Sequence, residues 1–237
     1  HPLTHAGGGL VGSQLIVVGG QTEAAGSPGN SVLVLDLALE GTDAFGWEER
    51  APMPGPRRGL PVVCRLGEQL LVASGRDYGP ARAEGEPPFA FHADLLRYDP
   101  RADRWTEPAA LALDGRPLCV MAGAAVPVGE DRAWLLGGAS GEVLQQLVDL
   151  EAAGDEEARL ELLRNHPGFS SAVLEVGPTG GVREVAAVRL DRLLDPPWQV
   201  RIGLCPYKCQ NALRAADIRS RNQSTYRLLG FVPRGCT

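Results

Sequence analysis

The sequence predicts an all-β protein made of repeated four-stranded antiparallel units, and three observations lead to this prediction. Glycine is frequent, at 30 of 237 residues, while aromatic residues make up only 5%, which favours many tight turns between aliphatic strands. One strand pattern occurs three times, in QLIVVGGQ, QLLVASGRD and RAWLLGGAS. A short apolar strand and a glycine turn precede each of these segments, so each is predicted to be the second strand of a hairpin.

The repeat continues beyond each hairpin. A third strand follows in NSVLVLDL, ADLLRYDP and SSAVLEVGP, and in the first two units Trp47 and Trp105 begin a fourth strand. The glycines that end the second strands, Gly20, Gly75 and Gly138, are 55 and 63 residues apart. A four-stranded unit of about 50 residues with these glycine and tryptophan positions is typical of a kelch-type β-propeller blade. The sequence therefore predicts a partial propeller of about three to four blades.

The glycine pairs and tryptophans of the repeat are expected to be structural. Gly19–Gly20 and Gly137–Gly138 allow positive φ where neighbouring blades crowd together. Trp47 and Trp105 supply large surfaces that pack between blades. These residues are therefore predicted to support the fold and to have no part in chemistry.

The third unit contains an insert of about thirty residues between its glycine pair and its third strand. Its leucines recur at helical spacing, with acidic residues between them, so the insert is predicted to be an amphipathic helix or a helical hairpin at about 141–165. Its acidic residues are expected to form a solvated helix face. Because loops after the second strand rim the mouth of a propeller, the insert is expected beside a pocket there.

Five polar residues are candidates for ligand binding at that mouth. Four of them follow the second-strand stops and the fifth closes the insert: Gln21, Arg76, Asp77, Ser140 and His166. Two simpler roles remain open, a turn residue before Pro167 for His166 and a rim ion pair for Arg76 and Asp77. No metal site is predicted, because the Cys205 and Cys209 spacing lacks a second ligand pair.

Three segments resemble the N-acetylneuraminate epimerase family of sialic acid mutarotases. They are YDPRADRW, AAVPVGEDRAWLLGGASGEV and the long insert that ends in NHPGFSSAVLEV, and the resemblance extends over residues 6–194. It implies a six-bladed propeller that interconverts the anomers of sialic acid without a metal or an organic cofactor. The compartment is not assigned; the resemblance favours a periplasmic or secreted protein, and no signal peptide is recognised in the chain as given.

In that family the chemistry is ascribed to a Glu and an Arg in the blade after the insert. That blade is expected to begin here at 184–194, EVAAVRLDRLL, but the sequence continues DPPWQVRIG and has no Glu after Glu184. The catalytic residues are therefore unassigned, and this chain is expected to be inactive by itself. An alternative hypothesis is a non-catalytic kelch module that binds a ligand or a protein.

Residues 198–237 differ from the propeller-like residues 1–197. Residues 198–237 contain seven Arg or Lys residues and one acidic residue, which gives this segment a net charge of +6. Because the whole chain has a net charge of −6, residues 1–197 have a net charge of −12. The QNALRAADIRSRNQSTYRLLGFVPRG segment of residues 198–237 weakly resembles the end of formylglycine-generating enzyme-like domains, and a fusion with a remnant of such a domain is a second alternative. With one interleaved aromatic residue, Tyr226, this tail is not expected to bind nucleic acid.

The expected partners follow from the partial propeller. The ligand class is a sugar such as sialic acid, and no membrane association is expected because no segment has the ~20 apolar residues of a membrane helix. An incomplete ring leaves the flanks of its first and last blades exposed. The chain is therefore expected to form an open, curved array of sheets or to associate through these flanks.

Overall fold

A computed structural model describes residues 2–22, 26–79, 89–177 and 179–187. They belong to one compact unit, His1–Arg189. The predicted basic tail, 198–237, lies outside the described residues, so the domain boundary at 197 stays a prediction.

Short antiparallel strands account for most of the ordered backbone. In chain order they are β1 (Leu3–Thr4), β2 (Gly7–Val11), β3 (Gln14–Val18), β4 (Gln21–Thr22), β5 (Val32–Asp36), β6 (Trp47–Glu49), β7 (Val62–Leu66), β8 (Gln69–Ala73), β9 (Arg76–Tyr78), β10 (Phe89–Phe91), β11 (Asp94–Asp99), β12 (Arg104–Trp105), β13 (Ala109–Ala110), β14 (Ala112–Leu113), β15 (Arg116–Pro117), β16 (Ala124–Val128), β17 (Arg132–Leu136), β18 (Ala172–Val176) and β19 (Val182–Ala187). One 3-10 turn, Leu37–Leu39, follows β5.

The strands form three main antiparallel sheets, one for each repeat. Sheet 1 has the order β2-β3-β5-β6, sheet 2 has β7-β8-β11-β12 with β13 also on β11, and sheet 3 has β16-β17-β18-β19. There are also three two-stranded ribbons. In the chain, β1 and β4 flank the β2–β3 hairpin of sheet 1, β9 and β10 fall between β8 and β11 of sheet 2, and β14 and β15 fall between sheets 2 and 3. The predicted second-strand hairpins and the third strands are thereby confirmed.

The prediction that a fourth blade begins at Glu184 is wrong for the residues that the structure describes. Val182–Ala187 is β19, which pairs antiparallel with β18 as the fourth strand of sheet 3. The turn between them is short, with the Gly177 amide donating to the Gly181 carbonyl at 3.1 Å. Because β19 forms hydrogen bonds with the outer edge of β18, it is the last strand of sheet 3 and not the first strand of a new blade.

The insert forms the predicted helical hairpin. Helix α1 spans Glu142–Ala153 and helix α2 spans Glu156–Arg164. Gly154 ends α1 with φ of +71°, and the Asp155 carboxylate accepts from the Ala158 amide to cap α2. Within the described ranges, neither helix has the length and apolar character to cross a membrane.

Two apolar clusters hold the three sheets together. The first lies between sheets 1 and 2 and includes Val11, Ile16, Val18, Val32, Val34, Met53, Leu70, Val72, Leu96 and Tyr98. The second lies between sheets 2 and 3 and includes Val62, Cys64, Leu66, Leu71, Ala73, Leu95, Leu111, Val120, Ala133, Leu135, Leu174 and Val176. Sheet 2 is thus covered on both faces, and burial raises the pKa of the Cys64 thiol to about 11.

The second-strand glycines have the predicted backbone conformation. Gly19 and Gly20 have φ of +63° and +79°, and Gly137 and Gly138 have φ of +66° and +87°. In sheet 2, Ser74 and Gly75 take the corresponding positive φ values of +58° and +112°. These residues turn the chain sharply at the same end of all three sheets.

The two repeat tryptophans have different surroundings. Trp105 packs against the cluster between sheets 1 and 2, with its ring centroid 4.9 Å from that of Tyr98 and its Nε1 donating to the Ala51 carbonyl at 2.9 Å. This confirms its predicted role between blades. Trp47 is 51% exposed, because no described sheet covers its face of sheet 1.

Glu175 links three side chains on the exposed face of sheet 3. Its Oε1 accepts from the Arg183 Nη2 at 2.6 Å, and its Oε2 accepts from the Trp134 Nε1 at 3.2 Å and lies 3.3 Å from the Arg132 Nη1. The bonds from Arg183 and then Trp134 lower the pKa of Glu175. A carboxylate with a lowered pKa stabilises the fold above its ordinary value of 4.5, and this contribution is lost as the pH falls below that value.

We therefore expect Glu175→Gln to unfold more readily than the wild type at pH 7, with the difference narrowing as the pH falls from 5 towards 3. Urea unfolding at several pH values measures it. The other carboxylates are common to both proteins, so they cancel in the difference. A difference that does not change with pH would show that Glu175 is not ionically linked to folding.

Candidate functional site

The second-strand end of sheet 2 carries a cluster of polar and aromatic side chains. It is formed by the ribbon β9–β10 and by the segments that precede the first strands of sheets 1 and 2. In an antiparallel hairpin the residues before the first strand and after the second lie at the same end. This places His5 and Arg57, which precede β2 and β7, beside the predicted Arg76 and Asp77.

Arg76 is half-buried between two aromatic rings. Its guanidinium carbon lies 4.8 Å from the centroid of the Tyr78 ring and 4.9 Å from that of Phe89. Burial lowers the pKa of Arg76, although an arginine keeps its charge at any physiological pH. Its Nε is buried and has no hydrogen-bond partner among the residues that the structure describes. The Arg76 side chain is therefore a half-buried cation whose Nε–H donor is not used by any described residue.

Asp77 is buried beside Arg76 but bonds elsewhere. Its Oδ2 accepts from the Arg57 Nη2 at 3.3 Å, and its Oδ1 accepts from the Tyr78 amide at 2.8 Å. From the sequence, a rim ion pair was considered for Arg76 and Asp77. In the structure Asp77 forms an ion pair with Arg57. This leaves the Arg76 guanidinium held by rings and not by that carboxylate.

Two histidines border the cluster. The Nδ1 of His5 lies 2.7 Å from the Tyr78 hydroxyl, and burial raises the pKa of that hydroxyl. The Nε2 of His92 lies 3.0 Å from the Arg57 carbonyl. Burial, followed by the charge of Arg58, lowers the pKa of His92, so His92 is neutral near pH 7.

An ion pair between the buried Arg58 and Asp94 lies next to the cluster. Arg58 is 0% exposed and donates from Nη1 and Nη2 to the two carboxylate oxygens of Asp94, at 2.7 and 2.8 Å. Its Nη1 also donates to the Ser74 carbonyl at 3.1 Å. The Arg58 carbonyl accepts from the Gly20 amide at 3.0 Å, so one residue connects the ends of sheets 1 and 2.

Gln21 lies in the neighbouring loop of sheet 1. It pairs with Thr4 in the ribbon of β1 and β4, and its Oε1 is buried without a hydrogen-bond partner among the described residues. The loops of sheets 1 and 2 touch where Gly79 approaches Ser27, since a Cβ on Gly79 would lie 2.7 Å from the Ser27 Oγ. Gln21 is thus at the same end of the sheets as Arg76.

Ser140 and His166 have local roles at the two ends of the helical insert. The Ser140 Oγ accepts from the Glu142 amide at 3.3 Å at the start of α1. The exposed His166 accepts from the Gly168 amide at 2.9 Å, as a turn residue would. The base of the insert does lie near the cluster, because a Cβ on Gly141 would be 2.6 Å from the Phe91 ring. The ligand-binding role of all five predicted residues stays a prediction.

Other features of the described ranges add no second site. A shallow recess of about 460 Å³ is lined by Leu113, Asp114, Arg116, Pro117 and Leu118, none of which the sequence predicted. Within the described ranges, no group of three or more His, Cys, Asp or Glu side chains is placed to hold a metal ion.

Sequence reasoning missed His5, Arg57, Tyr78 and His92. The signal for Arg57 was present in GPRRG, immediately before the first strand of the second unit. Applying the antiparallel rule to both ends of each hairpin would have found His5 and Arg57 together with the residues after the second strands. His92 gave no such signal, because its placement depends on the fold of the β9–β10 ribbon.

Comparison with solved structures agrees with this architecture. The structure of YjhT, a kelch-type propeller, matches with a TM-score of 0.57 and 17% identity over 79% of this chain and 52% of that one. The fold is a partial kelch-type β-propeller. The chain spans about half the length of that neighbour. No protein-family model and no curated protein matches the sequence.

Proposed function

We propose that this chain is a propeller segment related to the sialic acid mutarotases that binds an acidic sugar, such as sialic acid, and does not catalyse the interconversion of its anomers. The observation that carries the proposal is the Arg76 guanidinium, half-buried between Tyr78 and Phe89, with its Nε unpaired among the described residues. The choice of sugar is supported by the sequence resemblance to sialic acid mutarotases. It is also supported by the structural neighbour YjhT, which is a sialic acid mutarotase.

The chemistry of Arg76 suits a carboxylate. A guanidinium presents a planar set of donors that can bond both oxygens of a carboxylate. Partial burial reduces the screening of that charge by water, and the two rings hold its orientation. Arg57, Asp77 and Gln21 add polar groups at the same end of the sheets, of the kind that orient a ligand with hydroxyls.

Catalysis is not part of the proposal. Mutarotation needs a group that removes the proton of the anomeric hydroxyl and a group that delivers one to the ring oxygen. The resemblance assigns this work to a Glu and an Arg after the insert, and the sequence has no Glu after Glu184. We therefore expect the α and β anomers of sialic acid to equilibrate no faster with this protein than without it.

Binding is tested by titrating the full chain with N-acetylneuraminate, using calorimetry or ligand-observed NMR. Arg76→Ala is expected to weaken binding by about 10–100-fold, the value of one charge-assisted hydrogen bond of roughly 1.5–3 kcal/mol. Arg101→Ala is the matched control, because Arg101 is an exposed arginine paired with Glu68 at 2.7 Å on another part of the surface.

Two results would contradict the proposal. The first is no binding of N-acetylneuraminate at millimolar concentration, which would favour the protein-binding alternative for the loop face. The second is equal affinity for the wild type and Arg76→Ala, which would place the sugar elsewhere. Anomer exchange, measured by NMR in the same samples, tests the absence of catalysis separately.

A further inference from the structure

Four side chains around Arg76 form a stack on one face of the β9–β10 ribbon. In the pairing register Arg76 is opposite Phe91, and Tyr78 is opposite Phe89. Residues directly opposite each other in an antiparallel pair, and residues two apart in one strand, point to the same face. These four side chains therefore share one face of the ribbon, and Asp77 lies on the other.

The distances give the order of the side chains in this stack. The Arg76 guanidinium carbon lies between the rings of Tyr78 and Phe89, 4.8 and 4.9 Å from their centroids. The Phe89 ring is stacked in turn on the Phe91 ring, with centroids 6.2 Å apart and an angle of 21° between the planes. Aromatic rings attract each other at this spacing. Phe91 thus supports the ring that holds one side of Arg76.

The base of the helical insert closes the stack at Phe91. Gly141, the N-cap residue of α1, is buried and has φ of +91°. A Cβ on Gly141 would lie 2.6 Å from two atoms of the Phe91 ring and 2.9 Å from a third. The backbone therefore lies directly against the ring, and a glycine is needed both for the positive φ and for the close approach.

Backbone hydrogen bonds fix both ends of the insert to sheet 3. Ala139 exchanges bonds of 3.1 and 2.9 Å with Met121, and the Ser170 amide donates to the Gly138 carbonyl at 3.1 Å. Neither α1 nor α2 has a buried residue, so the insert is held mainly at its base. The base is thereby a firm support for the ring that it contacts.

We propose that the helical insert positions Arg76 for its ligand through the contact of Gly141 with Phe91. This inference rests on the proposed function, because it makes the insert part of the site that binds an acidic sugar. Gly141 and Phe91 are positioning residues, and neither has to touch the sugar. They restrict the Phe89 ring, and a guanidinium that is already held in place loses less conformational freedom when it binds a carboxylate.

Gly141→Ala tests the contact. The added methyl group has to displace the Phe91 ring, because there is no space for it in the packed stack. We expect N-acetylneuraminate to bind about tenfold more weakly to the full chain, measured by calorimetry. Gly154→Ala is the matched control, because Gly154 ends the same helix with φ of +71° and no atom lies within 4 Å of the place of its Cβ. Its affinity is expected to stay within about twofold of that of the wild type.

A double variant shows whether the effect passes through the Phe91 ring. Phe91→Ala removes the ring and is expected to weaken sugar binding by itself, since Phe89 loses its support. In that background the methyl group of Gly141→Ala has room, so it is expected to add no further loss. Additive losses would show that the two residues act separately, which contradicts the proposal.

The position of Arg76 can also be followed without a sugar. Its guanidinium lies between two aromatic rings, whose ring currents displace the NMR resonance of the Nε–H proton from that of an exposed arginine. This signal, assigned by its loss in Arg76→Ala, is expected to move in Gly141→Ala and in Phe91→Ala but not in Gly154→Ala. A contact that only stabilised the fold would lower the unfolding midpoint without moving the signal.

These measurements separate the failure of this inference from the failure of the proposed function. If the wild type does not bind N-acetylneuraminate, the proposed function fails, and the Arg76 signal alone decides whether the insert positions this side chain. If the wild type binds the sugar and a folded Gly141→Ala has the same affinity and the same Arg76 signal, the inference fails and the proposed function stands. Should Gly141→Ala not fold, Phe91→Ala decides, because it makes room and introduces no clash. Unchanged affinity and an unchanged signal in that variant would overturn the inference.

Discussion

Replacement of Arg58 by alanine is expected to lower the free energy of unfolding by about 3–5 kcal/mol, the usual cost of removing one partner of a buried ion pair. The Arg58 side chain is fully buried, and its two bonds to Asp94 are 2.7 and 2.8 Å long. The Asp94 side chain is 22% exposed, so water can solvate part of the carboxylate that remains. The loss is therefore expected near the lower end of that range.

Urea unfolding at pH 7 measures this effect. Arg101→Ala is the control, because an exposed pair such as Arg101 and Glu68 contributes only about 0–1 kcal/mol. Arg58→Met keeps most of the side-chain volume but removes the charge, and it separates the cavity from the ion pair. A loss below about 1 kcal/mol for Arg58→Ala would show that the pair does not hold sheets 1 and 2 together.

Gly19→Ala is expected to cost about 3 kcal/mol, through a positive φ that other residues resist and a clash within the packed fold. Gly19 has φ of +63°. A Cβ at this position would collide with the Arg58 carbonyl oxygen, which accepts from the Gly20 amide at 3.0 Å. The obstacle is backbone, so a change of side-chain rotamer cannot relieve it.

Gly12→Ala is the matched control for Gly19→Ala. Gly12 has φ of +57°, and no atom lies within 4 Å of the place that its Cβ would take. Its expected cost is the conformational part alone, about 1–2 kcal/mol. Equal losses for the two variants, measured by urea unfolding, would show that the close approach of sheets 1 and 2 at Gly19 is not tight.

Most strands were predictable because their signals are local. Alternation of apolar residues and glycine turns is written within each segment, as in the hairpin of β7 and β8. The helical insert was predictable for the same reason, since leucine spacing and the stop at Asn165 need no tertiary partner. The prediction that a new blade begins at Glu184 was wrong because the relevant information is not local. The sequence of an apolar strand does not show whether it is the first or the fourth strand of a sheet. Only its pairing with β18 distinguishes the two.

The candidate site was predictable in place but not in its contacts. Arg76 and Asp77 were found because they follow a glycine stop. Their partners come from segments distant in the chain, and His5 lies 73 residues from Tyr78. Which rings and which carboxylate lie next to Arg76 therefore depends on how the loops of sheets 1 and 2 pack together.

The sequence by itself determined the repeating unit, the helical insert and the end of the sheets at which polar residues collect, because periodicity and turn residues act over a few positions. Only the tertiary structure decided the partners of those polar residues, since Asp77 bonds Arg57 while Arg76 packs between rings. It also decided which apolar faces are covered. Trp105 and Trp47 have the same place in the repeat, and one is packed while the other is exposed. The physical reason is that burial belongs to pairs of sheets, and no single strand carries that information.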